Sequence, residues 1–151
     1  TLISLVVDDE VVVGVVSAPQ LQRRWWASAG GGAWTGKSLL KATRMQVSDV
    51  RRLEDASFSY SSLSGWEDRD RLEDVLSLMR RCWRTRAYGD FWSYMLVAEG
   101  AVDIAAEPEL EVYDMAALDV IVREAGGSFT SPTAAIALKD FRPRRPHLAF
   151  V

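Results

Sequence analysis

Asp90, Glu107 and Asp114 are the side chains best placed by type and spacing to do chemistry. Asp114 opens the apolar run YDMAALDVIVREAGG, Tyr113 to Gly127, and Glu107 lies in the loop EPELEVY just before it. An aspartate ahead of an apolar helix is a favoured N-cap, worth about 1 kcal/mol. The same carboxylate is a hard oxygen donor of the kind magnesium requires. On the residues alone the cap is the economical reading of Asp114. Glu107, beside Pro108, reads as a solvated loop acid, and Asp90 follows Gly89 where a strand feeds a helix. Asp103 and Asp119 read as structural; Asp119, inside an apolar helix, is expected to find a hydrogen-bond partner.

Other chemistries lack their residues. The one cysteine, Cys82, supports neither a disulfide framework nor a cysteine-rich zinc site. It reads as a buried core residue, in keeping with a reducing, cytoplasmic compartment. The single histidine, His147, lies in the tail, which leaves no base for a Cys/His pair or a Ser-His-Asp triad. Gly36-Lys37-Ser38 imitates the end of a P-loop, but the preceding glycines stand at the wrong distance. A net charge of -3 argues against a nucleic-acid binder. The arginine pairs, such as Arg23-Arg24 and Arg80-Arg81, sit among acids or aromatics and read as solvated faces. No stretch is long and apolar enough for a transmembrane helix, and LISLVV meets Asp8-Asp9-Glu10 too soon for a signal peptide.

The elements that must position the acids follow from hydrophobic rhythm. Residues 2–7 and 11–18 are rich in β-branched side chains around an acidic break, which predicts a β-hairpin. Residues 21–30 predict a third strand, and Gly30-Gly31-Gly32 a hairpin turn. From residue 54 the rhythm changes. ASFSYSSL reads as a strand, and residues 67–81 as a helix with Leu72, Val75, Leu76 and Met79 on one face. A strand over 82–89 precedes a helix over 90–99 that buries Phe91, Tyr94, Met95 and Ala98, with Gly100 as its C-cap. AVDIAAE is a short strand, and the helix from Asp114 is apolar around most of its circumference. Tyr88, Phe91 and Trp92 read as core more than as a binding wall. Alternation of strand and helix over 54–131 predicts an α/β layered arrangement behind an antiparallel sheet.

Together these pieces resemble the inositol monophosphatase-like family of magnesium-dependent phosphatases. YDMAALDVIVREAGG is similar to that family's C-terminal signature, and GVVSAPQLQRRWWASAGGGAW to its strand-and-turn segment. RAYGDFWSYMLVAEGAVDIAAEPELEVYD looks closest to the histidinol-phosphatase branch. The resemblance covers residues 1 to about 131. It implies an αβαβα sandwich, here only its C-terminal part: residues 1–66 ending an N-terminal sheet domain, 67–131 forming a C-terminal α/β domain, and 132–151 an atypical, poorly packed tail. It implies Mg2+ as cofactor with Asp114 as ligand, and Asp90 and Glu107 lining the substrate pocket with the backbone of Gly89 close by. It also implies a small phosphorylated substrate and a homodimer at full length.

The family's other metal ligands, a glutamate pair and an Asp-Pro-Ile-Asp-Gly-Thr type motif, are absent from these residues. The chain, starting at Thr1, is therefore expected to be a C-terminal fragment and inactive by itself. The leading expectation is hydrolysis of L-histidinol phosphate. Its rivals are an inositol or related sugar-phosphate phosphatase and a non-catalytic binding or assembly module.

Overall fold

The structure, a computed structural model, describes residues 1–131 and 134–136. The β-branched opening forms strands β1, Leu2–Val7, and β2, Glu10–Ala18, joined by a tight turn in which Asp8 and Asp9 both adopt positive φ. β3, Arg23–Ser28, β4, Gly32–Gly36, and β5, Ala42–Arg44, continue an antiparallel meander in the order β1-β2-β3-β4-β5. The remaining strands are β6, Ser57–Tyr60, β7, Arg84–Arg86, β8, Ile104–Ala106, β9, Ser128–Ser131, and β10, Ala134–Ile136. They form a mixed sheet in the order β7-β6-β8-β10-β9, with β6 parallel to both β7 and β8. The helices are α1, Leu63–Glu67, α2, Leu72–Arg81, α3, Asp90–Ala98, and α4, Val112–Glu124.

Two cores define the layers. Val16, Trp25 and Ala27 of the first sheet pack with Tyr94 and Met95 of α3, Leu118 and Ile121 of α4, and Ala105 of β8. On the other side of the second sheet, Phe58, Ile104 and Ala106 pack with Trp66 of α1 and Val75 and Leu78 of α2. Ala105 faces one core while its neighbours face the other, as the two-residue period of a strand demands. The order is sheet, helix pair, sheet, helix pair, which agrees with the layered α/β expectation. Gly14 shows how closely β2 lies on α4, since a Cβ there would stand 2.6 Å from the carbonyl oxygen of Ala117. The opposite face of the first sheet carries the cross-strand row Ile3, Val15, Trp26, Trp34 and Arg44. Arg44 lies over the Trp34 ring, and Ile3 and Leu5 are more than half exposed.

Several expectations need adjusting. Of the predicted helix over 67–81, only Leu72–Arg81 is helical; Glu67 ends the separate helix α1, Asp70 takes positive φ in the polar turn between the two, and Arg71 pairs with Asp74 at 2.7 Å. On α2 the buried residues are Val75 and Leu78; Leu76 is only half-buried. Cys82 is half-buried beside the second core, and burial pushes its thiol up to about 11. The change from one sheet to the other falls between β5 and β6, upstream of residue 66, because β6 pairs with β7 and β8. Of the segment 132–151, Ala134–Ile136 forms a strand paired with β8 and β9; the rest of that expectation lies outside the described residues. No helix among the described residues is long and apolar enough to cross a membrane.

Candidate functional site

Three short structural facts place the acids. Helix α4 begins at Val112, two residues earlier than expected, so Asp114 lies inside its first turn. Glu111 is the N-cap residue, and no side chain caps the helix; the Asp114 amide donates to the Glu111 carbonyl at 2.9 Å. The cap reading of Asp114 is thus overturned: its carboxylate is left for other work, in the positive field of a helix N-terminus. Asp90 is the first residue of α3 and has φ 42°, a left-handed conformation uncommon outside glycine. Such positions cost about 1–3 kcal/mol and cluster at functional sites. Glu107 follows the fully buried strand β8 and is itself 8% exposed.

Asp90, Glu107 and Asp114 line one cavity of about 440 Å³, together with Glu109 and Glu111. Leu2, Phe91, Leu110 and Leu118 supply its apolar wall. Glu107 does not follow the solvated-loop reading. Its Oε1 is buried and has no hydrogen-bond partner among the described residues. Burial first, then the charges of Asp90 and Asp114, push its carboxyl up to about 7. A buried acid without a donor is costly, so something outside these side chains is expected to meet it. Glu109 pairs with Arg69 at 2.8 Å. Gly89 precedes Asp90 as the N-cap of α3 and does not itself line the cavity.

Carboxylate oxygens suit magnesium, and Asp114 offers one. Among the described residues no group of three or more histidine, cysteine, aspartate or glutamate side chains is arranged to hold a metal ion. These residues therefore fit one side of a metal site and not a complete one.

The neighbouring acids have ordinary structural partners. Asp103 accepts from the Ser48 hydroxyl and, at 2.6 Å, from the Ser57 amide. Asp119 pairs with Arg123 at 2.5 Å, the partner expected of it. Glu124, of the Glu-Ala-Gly-Gly stretch, accepts from the Gly30 and Gly32 amides at 2.8 Å each, tying α4 to the β3–β4 turn. Glu99 accepts from Arg23 and from the Trp25 indole. Phe91 packs edge-on against Trp25 and Tyr88 against Trp92, so these aromatics belong largely to the core, with Phe91 also reaching the cavity.

Reading EPELEVY as a polar loop missed Glu109 and Glu111. The signal was present: acids at alternate positions 107, 109 and 111, followed by Asp114, in a strand-to-helix connection.

Comparisons with known proteins bear on the family and the fold. The model of the inositol monophosphatase family matches residues 1–149, beyond the limit of about 131 expected from the motifs. The histidinol-phosphatase of Streptomyces coelicolor is 65% identical over 119 residues, which are 79% of this chain and 45% of that protein. The histidinol-phosphatase of Mycobacterium tuberculosis is 56% identical over 131 residues, 87% of this chain and 50% of that protein. The chain spans about half the length of these curated relatives. Among solved structures, an inositol monophosphatase from Zymomonas mobilis matches with a TM-score of 0.80 at 24% identity, over 90% of this chain and 56% of that one. The extragenic suppressor protein suhB of Bartonella henselae matches with a TM-score of 0.76 at 26% identity, over 90% and 57%.

Proposed function

This chain belongs to the inositol monophosphatase family, and from that membership we propose that it carries the substrate-recognising part of a magnesium-dependent phosphatase acting on L-histidinol phosphate. The reaction releases L-histidinol and phosphate, a step of histidine biosynthesis. The observation that carries the reading is Glu107, nine-tenths buried in an acidic cavity with one oxygen unmet.

L-histidinol phosphate presents an ammonium and an imidazole, both donors to carboxylates. A neutral polyol phosphate offers neither charge. Asp90 and Glu107 line the cavity that would receive such a group, and an ion pair in a partly buried site is favoured when both charges are hydrogen-bonded. A bound ammonium returns Glu107 to its ionised form, because an adjacent positive charge offsets the burial that raised its pKa. Asp114 would hold magnesium from the first turn of α4. When bound, that ion polarises the phosphate and lowers the pKa of a water. The described residues do not by themselves complete a metal site, so turnover belongs to the longer protein.

The test is an assay of the full-length parent on histidinol phosphate and inositol phosphate. Higher kcat/KM on histidinol phosphate supports the reading; preference for inositol phosphate overturns it. Asp90→Asn is expected to cost more kcat/KM on the cationic substrate than on the neutral one.

A further inference from the structure

Five carboxylates line the cavity, and four already have an account. Glu109 is paired with Arg69. Asp114 is assigned above to the metal, and Asp90 with Glu107 to one cationic group. Glu111 remains. It occupies the N-cap of α4, where a short acid would fold back onto the first-turn amides. Glutamate is one methylene longer than the residues favoured there, and its side chain makes no cap hydrogen bond. Among the described residues its carboxylate has neither an ion pair nor a hydrogen-bond donor to accept from, and it lines the cavity with Glu107.

We infer that Glu111 is a specificity-determining residue, supplying the carboxylate for the second nitrogen-bearing group of the substrate. The acids alone would not establish a binding site. The independent observation is Glu107, 8% exposed, lining the same cavity with its Oε1 unmet by any donor. One built recipient for an N–H group stands there, and Glu111 is a second acid without a partner in the same space. A ligand with two separated nitrogen-bearing donors, one of them cationic, matches two such recipients; a ligand with one leaves Glu111 idle. The backbone conformation of the cap, φ −77° and ψ 153°, is ordinary extended chain and does not require glutamate. This inference rests on the histidinol-phosphate reading.

The experiment uses the full-length parent and its Glu111→Gln and Glu111→Asp variants. Each is assayed on histidinol phosphate and on 4-nitrophenyl phosphate, a monoester without a cation. Loss of a charge-assisted hydrogen bond predicts about a 10-fold fall in kcat/KM for Glu111→Gln on histidinol phosphate, mainly through KM. On 4-nitrophenyl phosphate the change is expected to stay within about two-fold. Glu111→Asp keeps the charge but is short enough to fold back onto the first-turn amides, so it is expected to lose about as much as Glu111→Gln on histidinol phosphate. A second readout is binding of L-histidinol without phosphate, by calorimetry: Glu111→Gln should weaken it while inorganic phosphate binding holds. Equal losses on both substrates, or unchanged histidinol affinity, would overturn the role of Glu111. A wild-type enzyme with no preference for histidinol phosphate over inositol phosphate would instead overturn the functional reading on which it rests.

Discussion

Glu107 and Glu124 stand at opposite ends of the segment that contains α4, and their surroundings differ in kind. Both oxygens of Glu124 are met by backbone amides, of Gly30 and Gly32. Glu107 is more deeply buried, yet its Oε1 meets no donor among the described residues. A carboxylate whose hydrogen bonds are complete within the chain contributes to stability. One left incomplete raises the energy of the fold unless a ligand completes it. The satisfied acids join layers; Glu107 faces the cavity.

Substitutions can break this contrast from either side. The largest effect on stability is expected at Asp103, because Asp103→Ala strands the Ser57 amide and the Ser48 hydroxyl in a buried site. A loss of about 3 kcal/mol should appear in urea unfolding, from about 1–3 kcal/mol per orphaned group. A loss below about 1 kcal/mol would mean those donors find water, and the satisfied class would lose its clearest member. Glu124→Ala comes next, at about 2 kcal/mol, since the Gly30 and Gly32 amides are nearer solvent and can be rehydrated. Glu124→Gln keeps one acceptor and should fall between wild type and alanine.

Glu107 should respond differently, through pH. Its carboxyl is raised from 4.5 to about 7, so between those values the folded chain binds more proton than the unfolded chain. Stability of the metal-free chain should therefore fall as pH rises from about 5 to about 7, and level off above that. Glu107→Gln should remove most of this slope without destabilising the chain at pH 8. Urea midpoints measured across that range decide it; a wild-type midpoint that rises with pH would contradict the raised carboxyl. The smallest effect belongs to Asp119→Ala, where an i,i+4 pair with Arg123 on the helix surface is worth at most about 0.5 kcal/mol.

The legible parts of this molecule are those in which neighbours in sequence are neighbours in space. The β1–β2 hairpin, the glycine turn after β3 and the apolar body of α4 all follow from local pattern. Helix boundaries were less legible. The break at Asp70 depends on a positive φ, and the start of α4 at Val112 left Asp114 in the first turn instead of at the cap. The acids of EPELEVY could be seen to alternate, but not which of them would be buried. Burial of Glu107 comes from β8 being covered on both faces, and the partner of Glu109 comes from the α1–α2 turn, distant in sequence.

The sequence by itself determined the family signature, the alternation of sheet and helix, and the residue types available for chemistry, since these are properties of local pattern and composition. Only the tertiary structure decided which carboxylates are satisfied. Glu124 reaches back to Gly30 and Gly32, Asp103 to Ser48 and Ser57, and Glu107 to nothing within the described residues. Desolvation and hydrogen bonding depend on what packs around a group in three dimensions, and a one-dimensional spacing of acids does not contain that.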